Sequence, residues 1–424
     1  MSNYKERVSD QMLLRRLQGK GAILIEGPKW CGKTTSAAHI AGSMLNLGEM
    51  SVLRRSREIM QLQPEVLLEG AVPRLLDEWE TIPDLWDMVR GEVDRRNKFG
   101  QFILTGSTVP PRSAEIIHSG TGRIGRMKMR TMSLVESGES DGSVSLAALF
   151  DSADIGVVRN SLALDDIAYL TCRGGWPQTT MLSDKVALDQ AFDYLEAIIG
   201  TDIHRLDETK RNGTRMRNIM RSYARNIGTP IAYKAIVADI VKNDNLSIND
   251  DTVADYIDAL RRLFVVEDME AWNPNLRSKA AIRQTVNRYF VDPSIGTAAL
   301  GLGPKDLKND LNTFGLMFEC MAVRDLRVYA DSLDGKVYHY RDSNGLECDT
   351  VIHRRDGSYG LVEIKLGGPA NIELAAKALN KLESIIDTDR MPAPSFKMVL
   401  VAVGEYGFRR KDGVYVIPIG CLRN

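Results

Sequence analysis

From Gly21 the chain alternates short apolar runs with stretches patterned for helices: Ala22-Ile23-Leu24-Ile25, then Thr34 to Leu47, then Val72 to Asp77, then Phe102-Ile103-Leu104-Thr105. That rhythm predicts βαβ units and a mainly parallel sheet. It breaks at Ser137 to Asp151, SGESDGSVSLAALFD, where Gly, Ser and acids mix. Between about 187 and 263 the apolar residues recur at helical spacing, as in Met216/Ile219/Met220/Tyr223 and Val253/Tyr256/Ile257/Leu260. Phe264-Val265-Val266 and Val286 to Val291 then predict a two-stranded ribbon, and helices followed by a ribbon suggest a winged helix. Past the Gly-rich stretch Gly296 to Pro304, strands are expected at Lys336–Arg341, Leu346–His353, Tyr359–Leu366 and Lys397–Val403, an α+β part.

The 424 residues suggest about three domains. We place them at 1–138, 139–302 and 303–424. The 55 basic and 56 acidic side chains leave a net charge of −1, so any polyanion site must be local. Five dispersed cysteines with no CxxC pair disfavour a disulfide framework and structural zinc, and predict a reducing cytoplasm. The start lacks an apolar signal region and no later stretch approaches the ~18 apolar residues of a membrane span, so neither secretion nor a membrane partner is expected.

Gly27-Pro28-Lys29-Trp30-Cys31-Gly32-Lys33-Thr34 fits GxxxxGK[ST], between the strand Ala22–Glu26 and a helix beginning near Lys33, which is the context a phosphate loop requires. Glycines let backbone N–H groups wrap a phosphate and a helix N-terminus adds positive potential, so Gly27 to Thr35 is the expected cradle for ATP. Lys33 is expected to reach the terminal phosphates and Thr34 to ligate Mg²⁺. Leu75-Leu76-Asp77-Glu78 ends a strand in two acids: Asp77 would hold Mg²⁺ through water and Glu78 would polarise the attacking water. A third strand ends Leu104-Thr105-Gly106-Ser107, placing Thr105 or Ser107 to sense the γ-phosphate.

Asp349 is followed fourteen residues later by Glu363-Ile364-Lys365, around the turn Arg354-Arg355-Asp356-Gly357-Ser358. The hairpin brings Glu363 opposite or diagonal to Asp349, with Lys365 on the face of Glu363. Such a trio suits metal-dependent phosphodiester hydrolysis: Asp349 and Glu363 for Mg²⁺, Lys365 for the attacking hydroxide or the charge developing on phosphorus. Asn273 to Tyr289 carries Arg277, Lys279, Arg283 and Arg288 without an acid, a local +4 that predicts a basic wing on DNA backbone. Contacts to phosphate do not read sequence, so structure-specific or nonspecific binding is favoured. The helix Asp251 to Arg262 bears Asp251, Asp255 and Asp258, which repel phosphates and argue against base reading.

GPKWCGKTT, LLDEW, LTGS and GRIGR together resemble a family of prokaryotic AAA+-type ATPases with a C-terminal restriction-endonuclease-like domain, over essentially the whole chain. Trp30 and Cys31 stand where that family usually has a Gln and a small apolar residue. By this resemblance Gly122-Arg123-Ile124-Gly125-Arg126 matches a Gly-Arg motif, making Arg123 or Arg126 an arginine finger that reaches a neighbouring subunit, which implies a ring or another homo-oligomer. Arg173-Gly174-Gly175-Trp176-Pro177 matches the family's Gly-Gly-aromatic-Pro element, read as an interdomain turn. The C-terminal trio resembles the D-x(n)-ExK signature, and Glu319 matches the acid supplied by that fold's first helix. The implied fold class is α/β: a P-loop AAA+-type domain, a helical or winged-helix middle and an α+β nuclease-like end. The expected function is a cytoplasmic homo-oligomeric ATPase that binds DNA and moves or remodels it. The alternatives are an NTPase switch whose last domain only recognises a partner, or an ATP-gated nuclease.

Overall fold

In the computed structural model the N-terminal apolar runs become β1 (Ala22–Glu26), β2 (Ser43–Asn46), β3 (Arg74–Asp77), β4 (Phe102–Gly106) and β5 (Ile124–Lys128). Residues 4–107, 120–203, 206, 209, 211–244, 247–274 and 283–424 are described. All five strands pair in parallel in the order β2-β3-β4-β1-β5. Helices α1 (Val8–Leu17), α2 (Lys33–Ile40), α3 (Met50–Leu62) and α4 (Leu85–Arg96) accompany them. Because successive strand residues point to opposite faces, the sheet builds two cores. Leu24, Leu76 and Leu104 pack with Leu53 of α3 and Trp86 and Val89 of α4. Ile23, Leu75 and Ile103 pack with Met12, Leu13 and Leu17 of α1 and Ala37 of α2.

The stretch Thr34 to Leu47, expected as one helix, is interrupted: α2 ends at Ile40 and β2 begins at Ser43. Gly42 makes the break. A Cβ there would stand 2.8 Å from the Val72 carbonyl oxygen, an approach only glycine permits, and its N–H donates to Pro73 O at 2.8 Å. β2 alternates half-buried and exposed residues at the sheet edge, so no apolar run marked it in advance.

Two compact units are built mainly on the residues up to Thr131 and on those from Met132 onward. The second contains both the helical stretch and the C-terminal strands. Its seven-stranded sheet runs β7 (Val158–Arg159), β12 (Tyr406–Arg409), β13 (Tyr415–Pro418), β11 (Phe396–Val401), β10 (Tyr359–Lys365), β9 (Glu347–Arg354) and β8 (Gly335–Arg341). The helix Pro369–Ile385 makes the crossover between the parallel pair β10 and β11 and covers one face with Ala375, Leu379 and Leu382. Within Ser137 to Asp151, β6 (Val144–Ser145) pairs in parallel with β14 (Leu422–Arg423).

The ribbon foreseen after Leu263 takes the form of antiparallel bridges, Val266 to Phe290 and Met269 to Asn287. Its first arm then joins β8 through a bridge between Ala271 and His339, with Trp272 N donating to His339 O at 2.7 Å. Tyr289, Phe290 and Val291 are buried, so this arm packs inside the unit.

The Arg173-Gly174-Gly175-Trp176-Pro177 turn is gripped by a buried ion network. Asp292, fully buried, accepts from Gly175 N at 2.9 Å and pairs with Arg324 Nη1 at 3.1 Å, while Trp176 Nε1 donates to Ser294 Oγ at 3.0 Å. Both glycines are required: a Cβ on Gly174 would meet Asp292 Oδ1 at 2.4 Å, and one on Gly175 would meet Met132 O at 2.1 Å. All these partners lie in the second unit. Asp292→Ala strips a buried guanidinium of a partner and is expected to destabilise this unit by about 3–5 kcal/mol, read as a lowered urea midpoint.

Candidate active site

The phosphate loop leaves β1 at Glu26 and enters α2 at Lys33. A Cβ on Gly27 would meet Met129 O at 2.1 Å, so the first glycine is a packing requirement. Gly32, before α2, has φ 100°, and Trp30 is also left-handed at φ 65° with its side chain half-exposed. Cys31 is fully buried and its Sγ donates to Met129 O at 3.6 Å, which accounts for a small apolar side chain here. Lys33 is folded back on the loop: Nζ donates to Gly27 O and Pro28 O, both at 2.8 Å.

Parallel pairing brings the acids to the loop. Asp77, at the end of β3, lies beside Thr105 in the ladder, and Glu26 lies beside Gly106. Thr34 Oγ1 donates to Asp77 Oδ1 at 2.7 Å, and Thr105 Oγ1 donates to the same oxygen. Magnesium takes oxygen donors and retains several waters, and a hydroxyl beside a carboxylate is a donor pair that fits it. Glu78 is turned by its left-handed φ of 55° so that Ser107 Oγ reaches its Oε1 at 3.2 Å.

One acid here had no motif to announce it. Glu80 accepts from Ser107 N at 3.0 Å, while its other oxygen is buried with no hydrogen-bond partner. Burial, with the Glu78 carboxylate adding to it, raises its pKa to about 7.

Arg123 and Arg126 reach different ends of β1. Arg123 precedes β5 beside Ala22, at the start of β1, and pairs with Asp94 at 2.8 Å. The phosphate loop follows the opposite end of β1, about 16 Å away at the rise of a strand. Arg126 lies 3.0 Å from Glu26 Oε1 with its guanidinium over the Trp86 ring.

In the second unit, β9 and β10 pair as far as Thr350 opposite Val362, with Asp349 and Glu363 the next residue on each strand. Lys365 Nζ lies 2.9 Å from Asp349 Oδ2 and 2.8 Å from Glu363 Oε2, and Ile364 N donates to Asp349 Oδ2 at 2.8 Å. Glu319, on the helix Leu311–Ser332, accepts from the buried Tyr289 hydroxyl. Burial, then Asp349, pushes Glu363 and Glu319 each up to about 8. Burial works against the Lys365 ammonium, but the two carboxylates outweigh it and raise its pKa.

Of the expected metal set, Asp349 and Glu363 share an internal ammonium and Glu319 a tyrosine hydroxyl. Among the described residues no three acids, histidines or cysteines are arranged to hold an ion, and the Lys365 ammonium stands between the two strand carboxylates.

The basic wing also requires correction. Arg288 is buried, donates Nε to Ile231 O at 2.9 Å, lies 3.5 Å from Asp268 and stacks over Tyr233, so it is not presented to a phosphate backbone. Arg283 is exposed, and Arg277 and Lys279 lie outside the described residues.

Residues 19–137 match the family model of the AAA domain. The chain carries an N-terminal P-loop ATPase-like domain on a parallel sheet. Residues 164–306 match a domain of unknown function, DUF8612, and 314–422 another, DUF4143. Over 408 residues the chain is 21% identical to the uncharacterized proteins Mb2031c of Mycobacterium bovis and Rv2008c of Mycobacterium tuberculosis, covering 96% of this chain and 82% of each relative. Among solved structures, the Walker-type ATPase PABY2304 of Pyrococcus abyssi is similar at 15% identity and a TM-score of 0.43, over 70% of this chain and 96% of that one. No helix among the described residues is long and apolar enough to cross a membrane.

Glu80 gives the N-terminal P-loop ATPase-like domain a pH signature. Its folded pKa is raised, so the native state binds the extra proton, and the stability this adds is full below the ordinary carboxylate range and lost as pH rises through about 7. Thermal unfolding from about pH 5 to about pH 8 is expected to show a fall in this domain's stability that Glu80→Gln reduces.

Proposed function

We propose that the chain is a homo-oligomeric ATPase that binds DNA and uses ATP hydrolysis to move or remodel it. The observation that carries the hydrolysis reading is the 2.7 Å contact between Thr34 and Asp77, next to the loop that bears Lys33. In this reading Lys33 leaves the Gly27 and Pro28 carbonyls for the β- and γ-phosphates, while Thr34 and Asp77 hold Mg²⁺. The bound ion supplies neutralisation of the phosphate charge that develops during transfer. Glu78, released by Ser107, orients a water for in-line attack on the γ-phosphorus and takes its proton. The resemblance is the basis for the oligomer: by it Arg123 is a finger, and its distance from its own phosphate loop leaves only a neighbouring copy for it to reach.

DNA as the partner rests on the carboxylate–lysine cluster, the exposed Arg283 and the resemblance of the whole chain, with the second unit as a nuclease-like module. The position of Lys365 between Asp349 and Glu363 favours a second reading, in which this module recognises its target without cutting.

Lys33→Ala is expected to abolish nucleotide affinity in calorimetry. Glu78→Gln should retain ATP yet release phosphate roughly 10²–10⁴-fold more slowly, and normal turnover in that variant would remove the assignment. Titration of labelled duplexes, forks and junctions at two salt concentrations should give salt-dependent binding, and its absence would remove DNA as the partner. End-labelled DNA with Mg²⁺ or Mn²⁺ tests the nuclease reading of the second unit: cutting that Glu363→Ala abolishes establishes a nuclease, and intact DNA removes that reading.

A further inference from the structure

Behind the phosphate loop lies a buried cation that the reading above does not use. Arg7 is 5% exposed and sits at the cap of α1. Its guanidinium spans two segments, Nη1 donating to Cys31 O at 2.8 Å and Nη2 to Arg130 O at 2.9 Å. The first carbonyl belongs to the loop, and the second to the chain leaving β5. Its own backbone is fixed by Asp10, which accepts from Arg7 N at 2.8 Å.

A trans peptide is planar, and its C=O and N–H point in opposite directions. Drawing the Cys31 oxygen towards Arg7 therefore turns the Gly32 N–H the other way, away from Arg7. The loop needs such a restraint, because Trp30, next to Cys31, is left-handed, a conformation that an L side chain resists. Met129 O, against Gly27 and the Cys31 thiol, supplies a rigid backing at the same place.

We infer that Arg7 is a positioning residue of the nucleotide site: by gripping the Cys31 carbonyl it aims the Gly32 amide at the phosphates of a nucleoside di- or triphosphate. The inference rests on the proposed ATP binding and extends it to a residue that touches no ligand. It requires the planar fork of an arginine, whose two Nη donors are held in fixed directions and reach carbonyls on two different segments.

Calorimetric titration of the full chain with ADP and with a non-hydrolysable ATP analogue tests it, alongside thermal unfolding without ligand. Arg7→Ala is expected to weaken both ligands roughly ten- to a hundredfold, with turnover at saturating ATP close to wild type and with affinity recovered by low concentrations of guanidinium. Arg7→Lys is expected to fall between, and it decides the matter if the alanine variant does not fold. Wild-type affinity in Arg7→Lys overturns the inference, because charge alone would then suffice. So does wild-type affinity in Arg7→Ala. A wild-type chain that binds neither ligand fails differently, removing the ATP reading itself.

Discussion

Parallel strands deliver their C-terminal ends to one edge of a sheet, and in the first unit this constraint assembles the whole site. β1 ends in the phosphate loop, β3 in Asp77 and β4 in Thr105 and Ser107, and the order β3-β4-β1 sets them side by side. Polar groups gathered at the end of a buried sheet must satisfy one another. Thr34 and Thr105 both donate to Asp77, and Ser107 serves Glu78 through its hydroxyl and Glu80 through its amide. The apolar faces above and below, with Trp79 and Trp86 on one side and Leu13 and Ile103 on the other, leave these groups no alternative partners in the core.

The second unit reaches a comparable concentration of charge by antiparallel pairing. Opposed residues in a hairpin share one face, so Asp349 and Glu363 converge, and period two returns Lys365 to the same side. Glu319 comes from a separate helix and is held by Tyr289, which belongs to the ribbon. Gly228 is constrained by the same packing: it is left-handed, and a Cβ on it would stand 2.9 Å from Glu319 Oε1. Helical stretch, ribbon and strands thus meet around a single carboxyl group, which is consistent with their grouping in one compact unit.

What could be read in advance follows from the range of each interaction. Lys33, Thr34 and Asp77 stand in short motifs whose context of strand, loop and helix is itself local, and the hairpin at Asp356-Gly357 defines a register by counting. Other features depend on contacts between distant segments. β2 was hidden because an edge strand needs no apolar run. Arg288 looked like a free cation because its partners, Ile231 and Asp268, lie 57 and 20 residues away. Glu80 and Arg7 have ordinary sequence surroundings, and their importance comes from what folds against them: Ser107 in one case, Cys31 and Arg130 in the other.

The two acidic clusters also show how differently excess negative charge can be managed. Around Asp77 it is met by hydroxyl donors, which a cation can join without displacing any charged group. Around Asp349 and Glu363 it is met by an internal ammonium, helped by protons that burial and mutual repulsion favour on Glu363 and Glu319. A divalent ion entering there would have to move Lys365 aside, whereas at Asp77 it would need only to share oxygens. The first arrangement suits a site that binds and releases its ion with every turnover. The second suits a cluster whose charge is already balanced, so that any chemistry it performs has to begin with a displacement of its own lysine.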